Sequence, residues 1–114
     1  MKAIVCGAGI AGLTVADRLA RRCAEVVVLE RSPGPRTAGY MIDFFGPGYD
    51  AAREMGLLPA LEDVAYPIEE ASLVDDRGRR PAGVRPAQFA DGPLLDIMRP
   101  DLERALPRRG STRL

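Results

Sequence analysis

The sequence contains no histidine and no tryptophan. Without histidine, imidazole acid–base catalysis and imidazole metal ligation are excluded within this chain. Thiols are scarce too. Cys6 and Cys23 are too far apart for a CxxC redox pair and too few for a metal cluster, so both read as small buried hydrophobes. Long apolar runs are missing: nothing approaches the roughly 18 consecutive residues that suggest a membrane span. The run Met1–Cys6 is too short for a signal peptide and leads straight into a glycine loop. These absences point to a cytoplasmic protein with no membrane association. A charge excess is absent as well, since 16 basic residues balance 16 acidic ones. That removes the bulk-charge footprint of a nucleic-acid binder. Nor are there paired carboxylates at a catalytic spacing, so no hydrolase signature emerges.

What is present fits one small domain. The chain has 114 residues, of which 46% are hydrophobic. A core is possible, but the margin of stability is thin at this size. Fifteen of the sixteen basic residues are arginine, whose planar fork suits phosphate and carboxylate. Coding bias in a GC-rich genome yields the same skew.

Residues 3–6 form an unbroken apolar run, the pattern of a parallel strand buried on both faces. From residue 10 to 22 the period becomes helical. Leu13, Ala16 and Ala20 share one side, while Thr14, Asp17, Arg18, Arg21 and Arg22 form the solvent side. Asp17 and Arg21 are an i,i+4 pair in the favourable order. Residues 25–30 predict a second parallel strand.

Further on, 40–45 predicts a strand and Gly46-Pro47 a helix start, with Gly56 and Leu57 as its cap. A short helical turn runs from Pro59 to about Val64. Segments 71–75 and 81–84 predict a β-hairpin. Residues 94–98 predict a strand and 100–106 a helix. Segment 107–114 is basic and followed by no further element.

The six residues Gly7, Ala8, Gly9, Ile10, Ala11 and Gly12 form a GxGxxG motif between the first strand and the first helix. Glu30 ends the next strand eighteen residues after Gly12, and a dinucleotide-binding βαβ unit places its acid about twenty residues on. Each glycine has a task. Gly7 permits the tight turn, Gly9 lets the backbone approach a pyrophosphate, and Gly12 lets the helix pack closely on the sheet. The helix start offers free N–H groups to phosphates. Glu30 is placed to accept hydrogen bonds from ribose hydroxyls, and its charge opposes a 2′-phosphate, so this site should not hold NADP. The spacing does not separate FAD from NAD.

The segment 7–31 resembles the opening of FAD-dependent monooxygenases of the p-hydroxybenzoate hydroxylase-like class. Segments 35–58 (PRTAGYMIDFFGPGYDAAREMGLL) and 96–106 (DIMRPDLERAL) are similar to the same family. The resemblance implies an α/β fold: a Rossmann-like βαβ FAD-binding half with an added β-hairpin and short helices, incomplete. It implies that Gly7, Gly9 and Gly12 hold the FAD pyrophosphate and Glu30 the ribose; Arg31 reads as a surface or adenosine-flanking residue. Arg36 would sit beside the flavin, Asp43 near the isoalloxazine, and Arg99 would contact FAD at a helix start. Two positions depart from the family: Cys23 and Ala38 stand where glycine is common.

The same resemblance implies a partial FAD-binding domain over 1–106 and a truncated tail over 107–114. In the full-length family NADPH is the co-substrate and flavin chemistry hydroxylates a small-molecule substrate. This chain would act on such a substrate only if completed by a C-terminal portion. Two other readings stay open: a non-catalytic remnant, or an NAD-binding reductase module.

Overall fold

The structure, a computed structural model, describes residues 1–22, 25–109 and 111–113. In chain order it contains β1 (Lys2–Cys6), α1 (Ile10–Ala20), β2 (Glu25–Leu29), β3 (Met41–Phe45), α2 (Gly46–Glu54) and α3 (Leu58–Glu62). There follow β4 (Ala71–Leu73), β5 (Ala82–Val84), a 3-10 turn (Pro86–Gln88), β6 (Leu94–Met98), α4 (Arg99–Ala105) and β7 (Ser111–Arg113). These elements divide between two compact units, Met1–Tyr40 with Arg99–Leu114, and Met41–Met98.

The first unit is built on a parallel sheet in the order β1-β2-β7. The β1–β2 register runs from Lys2 opposite Glu25 to Cys6 opposite Leu29. The helix α1 packs on both strands. The short apolar run and the helical period that follows it therefore become the βαβ unit that their spacing predicts. Leu13, Ala16, Val26 and Val28 are buried in this unit.

Three expectations need correction here. The first is that β1 is not buried on both faces. Ala3 and Val5 pair with the buried Val26 and Val28, while Ile4, next to Val27 on the opposite face, is 69% exposed. A single helix can cover only one side of a sheet. Cys6 points the same way as Ile4 and is an exposed free thiol rather than a buried hydrophobe. Cys23 lies outside the described residues.

Third, Asp17 does not face solvent but is completely buried. Its Oδ2 accepts from Arg21 Nε at 2.8 Å and its Oδ1 from Arg109 Nε at 2.7 Å. Two guanidinium partners offset the loss of hydration that burial imposes on a carboxylate. The local Asp17–Arg21 pair follows from helical spacing, whereas Arg109 arrives from 92 residues away. Within segment 107–114, β7 adds to β2 in parallel, Val27 opposite Ser111 to Leu29 opposite Arg113.

In the second unit β3 and β6 pair antiparallel, with Met41 opposite Met98 and Phe45 opposite Leu94. The helix α2 packs on β3, and α3 on β6. As the Gly56-Leu57 pair predicts, α2 closes with Gly56 at φ +73° and the Leu57 amide donating to the Ala52 carbonyl at 2.9 Å. Leu61 and Ile97 are fully buried beside Ala52, Met55 and Leu57 in the unit's core. The predicted hairpin is β4–β5. Its loop is held by Asp75, whose carboxylate accepts from the Arg77 and Arg79 amides at 3.0 and 2.8 Å.

Candidate functional site

The bend between β1 and α1 is shaped by its glycines. Gly7 has φ +101°, a conformation that disfavours any side chain, and its amide donates to the Leu29 carbonyl at 2.7 Å. A Cβ on Gly12 would overlap the carbonyl oxygen of Gly7, so that α1 can leave the strand this closely only with glycine there. Gly9 differs from both. Its backbone is extended (φ −78°, ψ −175°), and a Cβ there would meet nothing within 4 Å. The fold does not need glycine at position 9; what it leaves beside Gly9 is open space.

That space belongs to a cavity of about 350 Å³. Ala8 and Gly9 line it from the bend, Glu30 and Ser32 from the end of β2, and residues 33–36 from the following loop, Arg36 included. Glu103 and Arg108 complete the lining. Gly9 is the N-cap of α1, no side chain caps it, and no acidic residue lies in the first turn. The amides of Ile10, Ala11 and Gly12 thus start the helix without a side-chain cap and with no acidic residue of the helix's own first turn beside them.

Glu30 turns toward the bend. Its Oε2 accepts from the Ala8 amide and its Oε1 from the Ser32 amide, each at 2.6 Å. These two amides, Ala8 foremost, hold the carboxyl below the usual carboxylate range. It is an anion at neutral pH, with lone pairs left over for a hydroxyl. The cavity therefore brings together the backbone at Gly9, the arginines Arg36 and Arg108 and a fixed carboxylate, Glu30.

The NAD(P)-binding Rossmann-like domain family matches residues 5–58, which contain both the glycine bend and Glu30. A flavin-dependent monooxygenase of Phoma sp, eupH, is 34% identical over 93% of this chain and 26% of its own length. The chain is a relative of the flavin-dependent monooxygenases. An uncharacterised protein of Mycobacterium tuberculosis is 35% identical over 87% of the chain and 28% of its own length.

Among solved structures, the tetracycline destructase Tet(51) superposes with a TM-score of 0.73 at 26% identity, over 97% of this chain and 29% of that one. CtdE in complex with FAD gives 0.77 at 22% identity, over 93% of this chain, a likeness of fold. The chain thus spans little more than a quarter of the length of the flavin-dependent monooxygenases and structures that it matches.

Of the site residues expected from the sequence, Ala8, Gly9, Glu30 and Arg36 line one cavity. Gly7, Ile10, Ala11 and Gly12 form the bend and helix start behind it. Arg31 is exposed. Arg99 opens α4, its amide donating to the Tyr40 carbonyl at 2.9 Å, and its Nη2 lies 2.8 Å from Glu103 Oε2. Asp43 is in the second unit, on β3.

Sequence spacing missed two features. Glu103 is 4% exposed and lines the cavity, although a glutamate on a short helix gives no such signal. Asp43 also stands opposite Asp96 across the β3–β6 ladder, a carboxyl pair that no local spacing announces. Among the described residues no group of three or more Cys, Asp or Glu could hold a metal ion, and no helix is long and apolar enough to cross a membrane.

Proposed function

We propose that this cavity receives the ADP half of FAD, and that the chain is the FAD-binding portion of a flavin-dependent monooxygenase. The observation that carries the reading is the open space at Gly9, beside uncapped helix amides and a hydrogen-bonded carboxylate. A pyrophosphate would lie against Gly9 and the first-turn amides of α1, with Arg36 and Arg108 adding positive charge. Glu30 would accept hydrogen bonds from the adenosine ribose. Its fixed negative charge disfavours a 2′-phosphate, so NADPH would reach the flavin from elsewhere rather than occupy this cavity.

Support for FAD over NAD comes from the reach of the likeness. Residues 5–58 suit either dinucleotide, but the similarity to flavin-dependent monooxygenases extends over 93% of the chain. Bound flavin supplies the redox and oxygen chemistry. This chain's residues bind and orient it. Arg99 and Asp43 are candidates for flavin contacts by that likeness. The small-molecule substrate, and hydroxylation itself, would belong to the longer proteins of which this chain spans about a quarter.

The test uses the lack of any fold requirement for glycine at position 9. Gly9→Val places its side chain where only a ligand would be. We expect Gly9→Val to lower the unfolding free energy of the free chain, read by urea denaturation, by no more than about 1 kcal/mol, the cost of valine in place of glycine at a helix N-cap. Its affinity for FAD and ADP, followed by flavin fluorescence quenching and by calorimetry, should fall at least tenfold. Unchanged affinity would remove the cavity from the account. Binding of NAD without FAD would replace the flavin assignment by the reductase reading.

A further inference from the structure

We propose that Asp17 is a positioning residue for this cavity: through Arg109 it holds the stretch of chain that presents Arg108 to the ligand. The inference rests on the reading of the cavity given above and extends it to a residue outside the lining. Asp17 is on α1 and completely buried. Its Oδ2 accepts from Arg21 Nε at 2.8 Å, one helical turn on, and its Oδ1 from Arg109 Nε at 2.7 Å. Each carboxylate oxygen thus has one guanidinium donor, and neither is free to turn to water. Charge-assisted bonds of this length are the strong ones. The Arg109 end is therefore fixed, although 52% of that side chain is exposed.

What this bond fixes is the route of the chain past the cavity. Leu106 is buried just beyond α4, and β7 joins β2 from Ser111 onward. Residues 107–109 between these anchors belong to no helix or strand. Arg108 lines the cavity from this stretch, and the next residue is the one tied to Asp17. The lining holds two carboxylates, Glu30 and Glu103, and two arginines, Arg36 and Arg108. Without Arg108 its formal charge is negative, which opposes a pyrophosphate. Irregular backbone costs conformational entropy to order, and a ligand that had to order residues 107–109 itself would bind more weakly. The bond to Asp17 places that ordering in folding, before the ligand arrives.

The experiment is a double-mutant cycle on ADP affinity in the 114-residue chain, measured by calorimetry. Arg108→Ala should weaken ADP binding roughly tenfold, the scale of one hydrogen bond between charged groups. Arg109→Ala removes no group from the lining, and it should weaken ADP binding by roughly three- to tenfold, never more than Arg108→Ala does. The double variant should bind as Arg108→Ala alone. Arg109→Lys keeps a cationic donor for Asp17 and should bind ADP within about threefold of wild type. Asp17→Asn keeps the buried volume and interrupts the same link from its other end. Its cycle with Arg108→Ala replaces the first one should Arg109→Ala fail to fold.

A pair that merely supports the fold predicts otherwise. Losses that multiply in the double variant, or an Arg109→Ala loss larger than that of Arg108→Ala, show an effect that does not pass through Arg108 and overturn the inference. Wild-type affinity in Arg109→Ala overturns it as well, and so does wild-type affinity in Arg108→Ala, with the cavity reading left intact in each case. If wild type itself binds no ADP, the cavity reading fails and this inference falls with it.

Discussion

Gly7, Gly9 and Gly12 are equivalent in the motif and different in the structure. Gly7 is required by its φ of +101°, Gly12 by the carbonyl it lies against, and Gly9 by nothing in the protein. The three therefore make separable predictions. Gly12→Ala should destabilise the free chain by about 3 kcal/mol, the upper end of the cost of overpacking, because its Cβ meets rigid backbone rather than a side chain that can turn away. Urea denaturation would measure this. A Gly12→Ala midpoint equal to wild type would mean that α1 can shift away from Gly7 without cost. The motif and Glu30 were legible because they lie within one local βαβ unit, where the identity of a glycine reports directly on backbone geometry. Asp17 was not legible. Helical spacing put it on the polar side with Arg21, and only the return of Arg109 explains why that position is buried.

At the level of elements the same contrast recurs. The strand β1, helix α1 and strand β2 follow from period and turn residues, and α2 from Pro47 and the Gly56 cap. The pairing of β3 with β6 joins segments some fifty residues apart, and nothing local encodes its register. That register sets Asp43 opposite Asp96, with Asp96 5% exposed. Burial first, and then the hydrogen bond and charge of Asp43, raise the Asp96 carboxyl above its usual value. A native-state pKa raised in this way favours folding at low pH. The contribution is fully present below the unfolded value, near 3.8, and is lost as pH rises through the raised one.

At neutral pH the pair is accordingly a liability, because two like charges oppose each other across the ladder. We expect Asp43→Asn to stabilise the chain at pH 7 by about 0.5 kcal/mol, the scale of a cross-strand pair. The gain should shrink toward zero as pH falls through the raised Asp96 value, because Asp96 then takes up a proton and its charge no longer opposes Asp43. Paired urea titrations of the two proteins across this range would check the sign. A gain that grows toward low pH would show that Asp43 does not act through the charge of Asp96.

For the molecule as a whole, two properties reinforce each other. The formal net charge is zero, which gives the chain no long-range repulsion between copies. At the same time the face of the parallel sheet opposite α1 carries Ile4 at 69% exposure and Leu29 at 41%, with the exposed Cys6 between them in register. Contiguous exposed apolar surface of this kind drives association or docking in soluble proteins. We therefore expect the 114-residue chain to bind the hydrophobic dye ANS while folded, and to scatter light increasingly with concentration.

Ile4→Lys acts on both causes at once, removing the most exposed apolar side chain of the strip and giving the chain a net charge of about +1. Because Ile4 is mostly exposed, its replacement removes little packing, and the unfolding free energy from urea titration should change by no more than about 0.5 kcal/mol. ANS fluorescence and scattering should both fall well below wild type. If dye binding persists unchanged in Ile4→Lys, the responsible surface is not this sheet face. Falling dye binding with unchanged scattering would instead assign association to the unpaired strand edges, which offer free amides and carbonyls to a second chain.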